Sequence, residues 1–165
     1  MSLKSPNISV IVTTYNRPDA LQVVLLALAQ QTQLPNQVVV ADDGSTQETR
    51  LLIGQLQNQL NYPLQHVWQK DEGFQAAKIR NKAALCAHSN YLIFLDGDCV
   101  PFPDFIENHR LLAEPNWFVS GHRVLLEKQF TQKILQELLP IYKQSTLEWL
   151  LHYFQRQSNR LFPLL

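Results

Sequence analysis

The hydrophobic pattern alternates between short apolar runs and stretches in which apolar residues recur every three or four positions. Residues 8–14 are β-branched and free of charge, a composition typical of a central strand. Three further apolar runs, at residues 37–41, 63–69 and 91–95, predict strands as well. The last run leads into two aspartates separated by a glycine, and we expect it to be a buried parallel strand.

Three helices are predicted between these strands. The first begins at Pro18, because proline suits the first position of a helix. Its buried face consists of apolar residues spaced by three and four, namely Leu21, Val24, Leu25 and Leu28. Ser45 and Glu48 have the spacing of a capping box, so the second helix is expected to start there and to run to about residue 60. The third helix is predicted over residues 75–88.

Beyond residue 95 the pattern becomes mainly helical. We expect a helix from Pro103 to about residue 112, an extended segment over residues 117–126, and helices from residue 131 onwards. Ser145 and Glu148 make a second capping box. The alternation of strands and helices predicts an α/β fold, in which a mostly parallel sheet carries helices on both faces and a helical C-terminal tail follows.

Composition limits the classes of function. The 165 residues suit one domain, and 45% apolar against 17% charged residues is enough to bury a core. Fourteen basic residues balance fourteen acidic ones, which argues against nucleic-acid binding. Cys86 and Cys99 form no disulfide framework or metal motif, and no apolar run is long enough to span a membrane. We therefore expect a cytoplasmic protein, with docking on the cytoplasmic face of a membrane left open.

Polar clusters follow three of the predicted strands, at residues 13–16, 42–45 and 96–98. The carboxyl ends of parallel strands meet at one edge of a sheet, so these clusters are expected to converge. Asp96 and Asp98 offer oxygen ligands of the kind that Mg²⁺ or Mn²⁺ prefers, and Gly97 lets the chain turn between them. Taken alone, the same tripeptide is also an ordinary polar turn.

The other polar residues leave alternatives open. Tyr15 is suited to stacking on a nucleobase or to packing on the sheet edge. Asp43 is suited to accepting from a base imide or ribose, or to an Asx-turn, which is the commoner role. Lys78 and Arg80 lie about 200° apart on a regular helix, so both can face one diphosphate only if the helix begins late. The chain has no glycine-rich phosphate loop, which argues against dinucleotide enzymes and ATPases.

Four motifs in register resemble the family 2 glycosyltransferases of the GT-A fold. They are VIVTTYNR at residues 10–17, ADDGS at 41–45, DEGFQAAKIRN at 71–81 and FLDGD at 94–98. The resemblance covers about residues 8–110. The third motif is particularly similar to the branch that contains chondroitin polymerase and related galactosyl- and N-acetylgalactosaminyltransferases.

This resemblance implies an inverting transferase that takes a UDP-sugar donor, a divalent cation (Mn²⁺ or Mg²⁺) and a carbohydrate or glycolipid acceptor. The nucleotide-binding residues that it implies are Thr13, Tyr15, Asp43, Lys78, Arg80 and Asp96. Among them, Asp43 would bind the uracil and Asp96 would reach the ribose and the cation. Asp98 would coordinate the cation itself.

The chain departs from the family after Trp117, where no acidic stretch that would carry the general base is found. The available substitutes are Glu107, Glu114, His122 and Glu127. We therefore expect a single domain over residues 1–165, with a nucleotide-sugar-binding core at 8–115 and an acceptor half that is absent or truncated in 116–165. Two alternatives stay open: an inactive nucleotide-sugar-binding module and, less favoured, a sugar nucleotidyltransferase. Apolar stripes in the tail predict burial against the sheet or in a homo-oligomer.

Overall fold

A four-stranded parallel sheet forms the centre of the structure, a computed structural model that describes residues 6–159. The strands are β1 Ile8–Thr14, β2 Gln37–Asp42, β3 Leu64–Trp68 and β4 Tyr91–Asp96. They lie in the order β3-β2-β1-β4, and all three pairings are parallel. The predicted alternation and the parallel sheet are confirmed.

Helices cover both faces of this sheet, as the sequence predicted, but unequally. Their bounds are α1 Pro18–Leu28, α2 Gln47–Leu56, α3 Ala76–Leu85, α4 Phe105–Leu112, α5 Lys128–Glu137 and α6 Thr146–Phe154, with a 3₁₀ turn at Ile141–Lys143. Apolar residues of α1, α2 and α4 pack in one core with alternate residues of the strands. On the opposite face, α3 packs on β1 and β2 and forms a smaller core.

The two central strands supply both cores because successive side chains point to opposite faces. Val10 and Val12 of β1 contact the α1 side, whereas Ile11 between them contacts Ile79 and Ala83 of α3. All of these side chains have no exposed surface. A charge-free run of β-branched residues is what such a doubly covered strand requires.

Strand β4 is parallel, as predicted, but it is only partly buried, so the expected burial was wrong. It pairs with β1 on one side, and within residues 6–159 no strand pairs with its other side. Phe94 lies opposite Ile11 on the α3 face, yet 54% of its surface is exposed. The reason is that α3 packs over β1 and β2 and leaves the outer part of β4 uncovered.

The predicted capping box at Ser45 and Glu48 was also wrong. The Ser45 hydroxyl accepts a hydrogen bond from the Asn16 amide at 2.9 Å rather than from an amide of the helix. Helix α2 begins one residue later with Thr46 as its N-cap and without a side-chain cap, and it ends at Leu56. A contact from another loop has replaced the local one.

The tail after α4 contains less regular structure than predicted. Residues 117–126 form no strand, and Leu126 alone makes an isolated antiparallel bridge, to Ser158. The capping box at Ser145 is confirmed, because its hydroxyl and the Glu148 carboxylate bond each other's backbone amides.

The tail packs against the outer side of α1. Ile134 and Trp149 are buried there beside Val23. The remaining apolar stripe of α6 is exposed, with Leu147, Leu151 and Phe154 at 72%, 57% and 71%. In the part of the chain that the structure describes, no helix is long and apolar enough to cross a bilayer.

Candidate functional site

The three polar clusters meet at the carboxyl edge of the sheet. In the strand register, Thr13 of β1 lies opposite Ala41 of β2 on one side and Asp96 of β4 on the other. Thr14 lies opposite Asp42. The loops that leave β2 and β4 therefore each start one strand spacing from the loop that leaves β1, and the three clusters converge as the sequence predicted.

Gly97 fits the turn between the two aspartates because the β1 backbone lies against it. Its amide donates to the Thr13 carbonyl at 2.7 Å. A Cβ at this position would lie 2.7 Å from the same oxygen and 3.3 Å from the Thr14 Cβ. The glycine is thus required by close approach of β1, and the turn is held against the sheet.

Arg80 of α3 joins two of these strands. Its Nε donates to the Thr13 hydroxyl at 2.9 Å, and its Nη2 donates to Asp96 Oδ1 at 2.8 Å. Lys78 points elsewhere and lies 3.6 Å from Glu72, with about half of its side chain exposed. The structure therefore brings Arg80, but not Lys78, to the strand ends, in keeping with their angular separation on α3.

Asp96, Asp98 and Cys99 form a cluster that fits a divalent cation. One ligand atom from each lies within 4.8 Å of the others. Asp98 is exposed, and Asp96 is half-exposed and keeps an oxygen that is not bonded to Arg80. The two carboxylates suit Mg²⁺ or Mn²⁺. The pKa of the Cys99 thiol is raised by burial and by the two aspartates, so the thiol is a poorer ligand than the carboxylates.

Asp43 is buried directly after β2, and each of its carboxylate oxygens accepts one hydrogen bond. Its Oδ1 accepts from Gln69 Nε2 at 2.6 Å, and its Oδ2 accepts from the Gln75 amide at 2.8 Å. Each carboxylate oxygen can still accept a second bond. Asp43 therefore ties the start of α3 to β2, and any hydrogen bond to a ligand would be added to these two.

Tyr15 lies on the exposed rim of the same edge. Its hydroxyl donates to Asp71 Oδ2 at 2.9 Å, and 49% of its surface is exposed. The bond to Asp71 raises the pKa of the tyrosine, so the ring stays neutral. The Asp71 backbone lies against Gly44, which has a φ of +98°, so the turn after β2 positions the partner of Tyr15.

Asp42 is a structural residue beside this edge. It has no exposed surface and bonds His66 at 2.9 Å and the Ser45 amide at 2.8 Å. Burial acts to raise its pKa, but the hydrogen bonds from His66 and Ser45 prevail, so its pKa is lowered. The second aspartate of the ADDGS motif thus holds the start of α3, whereas the first holds the turn after β2.

Two of the substitutes for a general base have other partners. Glu127 caps α5 by accepting from the Gln129 and Phe130 amides, and Glu107 accepts from the Thr32 hydroxyl at 2.8 Å. His122 is exposed beside Arg123, whose Nη1 lies 3.9 Å from Asp96 Oδ2.

Sequence reasoning missed Gln69, Asp71 and Arg123. Gln69 stands at the end of a predicted strand and Asp71 within a quoted motif, so their position was a usable signal. Arg123 lies in a segment without periodicity, and nothing in the sequence placed it near Asp96.

The family model of glycosyl transferase family 2 matches residues 9–164. This chain belongs to that family. It is 32% identical over 173 residues to a hyaluronan synthase of Pasteurella multocida, covering 92% of this chain and 18% of the relative. It is 27% identical over 173 residues to a chondroitin synthase of Escherichia coli, covering 92% and 25% respectively. The predicted resemblance to the chondroitin synthase branch is confirmed, and the chain spans a quarter or less of these two relatives.

Two solved structures, of a mannosyltransferase and of TarS, share this fold. The Pyrobaculum calidifontis mannosyltransferase PcManGT, in complex with GDP-Man and Mn²⁺, has a TM-score of 0.61 and 26% identity, covering 68% of this chain and 34% of its own. S. aureus TarS 1-349 in complex with UDP-GlcNAc has a TM-score of 0.53 and 30% identity, covering 62% and 29%. The fold of this chain is that of the GT-A glycosyltransferases, as predicted.

Proposed function

We propose that the carboxyl edge of this sheet binds a UDP-sugar together with Mn²⁺ or Mg²⁺, and that the chain is the donor-binding part of an inverting glycosyltransferase. The observation that carries the proposal is the convergence of Arg80, Thr13 and Asp96 with Asp98 on one edge. Relatives in complex with UDP-GlcNAc and with GDP-Man and Mn²⁺ support it. The acceptor is proposed to be a carbohydrate or glycolipid.

Each side chain has a defined task in this proposal. Asp98 and Asp96 Oδ2 would hold the cation, which would supply positive charge to the diphosphate. Arg80 orients Asp96 through its hydrogen bond to Oδ1 and adds positive charge where the leaving group develops negative charge. Thr13 fixes the guanidinium from the other side.

The nucleoside is proposed to lie between Tyr15 and Asp43. The exposed ring of Tyr15 offers a face for stacking, and its bond to Asp71 fixes the orientation of the ring. Asp43 is held by Gln69 and Gln75, so its carboxylate is preorganised to accept from a uracil imide. A site built in this way rejects a base that lacks a matching donor, because a buried polar group would be left unpaired.

Calorimetric titration of the chain with UDP, GDP and CDP, with and without Mn²⁺, tests this proposal. We expect UDP to bind best and Mn²⁺ to strengthen its binding. Asp98→Asn is expected to remove most of that gain. Loss of a residue that only supports a metal ligand already lowers metal affinity roughly tenfold, so loss of a direct ligand should lower it more. Asp104→Asn is the matched control. It removes the same negative charge from an aspartate that accepts a hydrogen bond from Asn108 on α4. An unchanged Mn²⁺ effect in Asp98→Asn contradicts the metal assignment, and a preference for GDP contradicts the role of Asp43.

Product analysis separates the three kinds of function. Transfer from a UDP-sugar to a panel of sugar acceptors would establish the enzyme, and it would place the base in this chain. Donor binding without transfer would favour a binding module, which the structural roles of Glu107 and Glu127 support. Release of diphosphate from UTP and a sugar phosphate would indicate a nucleotidyltransferase instead. We also propose a cytoplasmic location, consistent with the two free cysteines.

A further inference from the structure

Arg123 reaches the candidate cation site from a different part of the chain than the other residues there. It lies in the segment between α4 and α5, and its Nη1 is 3.9 Å from Asp96 Oδ2. Its positive charge also acts to lower the pKa of the Cys99 thiol, although burial and the two aspartates raise that pKa overall. Asp96 thus lies between two arginines, with Arg80 on Oδ1 and Arg123 near Oδ2.

The two arginines are held very differently. Arg80 makes two short hydrogen bonds from a regular helix, at 2.9 and 2.8 Å, and 37% of its side chain is exposed. The contact between Arg123 and Asp96 is beyond hydrogen-bond length, and 66% of the Arg123 side chain is exposed. An exposed pair of this kind contributes little free energy, so Arg123 can exchange partners at small cost.

The backbone around Arg123 permits such an exchange. The chain is anchored at Leu125, whose amide donates to Asn159 Oδ1 and whose carbonyl accepts from the Asn159 amide. Before that anchor, Gly121 and His122 are exposed, and a Cβ on Gly121 would meet no atom within 4 Å. The guanidinium can therefore move without disturbing the core.

Charge determines where Arg123 goes when the site fills. A divalent cation bound by Asp96 and Asp98 would place two positive charges beside the guanidinium. It would also coordinate the Asp96 carboxylate, which otherwise attracts Arg123. A diphosphate on that cation then offers the nearest negative oxygens. The planar guanidinium fork matches phosphate oxygens in a way that an ammonium group does not.

We propose that Arg123 binds the phosphates of the donor, and that it exchanges Asp96 for them when the cation and nucleotide enter. This rests on the proposed function and adds a residue to it. Two opposite effects follow. Arg123 opposes binding of the cation alone, because the two share Asp96. It favours binding of the nucleoside diphosphate, because it adds charge-assisted hydrogen bonds.

The test uses Arg123→Gln and Arg123→Lys, with Lys128→Gln as a control of equal charge change at an exposed position on α5. In Arg123→Gln, Mn²⁺ alone should bind about two- to fivefold more tightly, the range for an exposed ion pair, as measured by electron paramagnetic resonance. UDP with Mn²⁺ should bind roughly ten- to hundredfold more weakly, whereas uridine should be unaffected. Arg123→Lys should retain part of the UDP affinity. Circular dichroism confirms that each variant is folded.

Each departure from this pattern overturns the proposal. Unchanged UDP affinity in Arg123→Gln would show that Arg123 does not bind the phosphates. Unchanged or weaker Mn²⁺ binding in that variant would show that Arg123 and the cation do not compete for Asp96. Equal losses in Arg123→Gln and Lys128→Gln would mean that only net charge matters. The proposed function fails in a distinguishable way, because the unaltered chain would then bind no nucleoside diphosphate.

Discussion

Substituting Gly97 by alanine tests whether the turn between the two aspartates is pressed against β1. The added Cβ would lie 2.7 Å from the Thr13 carbonyl oxygen and 3.3 Å from the Thr14 Cβ. The Thr13 oxygen is a backbone atom of a central strand and also accepts the Gly97 amide at 2.7 Å. No side-chain rotation can relieve the contact, so the turn has to move away from the strand.

The size of the effect follows from two opposing terms. Forcing one extra carbon into a close-packed site costs about 1–3 kcal/mol, and replacing glycine by alanine recovers about 0.4–1 kcal/mol through the unfolded chain. We expect Gly97→Ala to be about 1–2 kcal/mol less stable than the unaltered protein. Gly54→Ala is the matched control, because Gly54 lies within α2 and an added Cβ would meet no atom within 4 Å. It should be about 1 kcal/mol more stable.

Urea unfolding followed by tryptophan fluorescence measures both variants, and the difference between their free energies of unfolding should be about 2–3 kcal/mol. The comparison cancels most of the effect on the unfolded state, since both changes are glycine to alanine. If Gly97→Ala is as stable as Gly54→Ala, the turn is not held against Thr13 as described. The fixed placement of Asp96 and Asp98 would then lose its structural basis.

Two further predictions concern stability. The pKa of Asp42 is lower in the folded than in the unfolded chain, so the stability that its carboxylate contributes is present above the unfolded pKa of about 3.9 and is lost as pH falls through the folded value. The free energy of unfolding, measured over this acidic range, should therefore fall less in Asp42→Asn than in the unaltered protein. An equal fall would contradict the pairing of Asp42 with His66 and Ser45. Ser145→Ala should lower the free energy of unfolding by about 1 kcal/mol, because it removes the capping box of α6. Thr46→Ala should lower it much less, because the Thr46 hydroxyl does not cap α2. Equal losses in urea unfolding would show that the capping hydrogen bonds do not determine the stability of these helices.

The central strands and their convergence could be predicted because their causes are local and periodic. A charge-free run such as residues 8–14 favours a doubly covered strand, and in a parallel sheet the polar residues that follow it then lie at the carboxyl edge. The separation of Lys78 from Arg80 could also be anticipated, since it depends only on helix geometry.

The contacts that sequence reasoning missed all join distant parts of the chain. Ser45 and Glu48 have the spacing of a capping box, but the Ser45 hydroxyl accepts a hydrogen bond from the Asn16 amide instead. The exposure of Phe94 depends on where α3 lies, which the composition of β4 does not determine. Arg123 follows residues without regular structure, so no period connects it with Asp96.

A crystal structure of this chain soaked with UDP and Mn²⁺ tests the central claim most directly. We expect an anomalous Mn²⁺ peak at coordination distance from Asp98, with the diphosphate on the cation and the uracil between Tyr15 and Asp43. A cation or nucleotide found elsewhere, with Asp96 and Asp98 unligated, would contradict the proposed donor site.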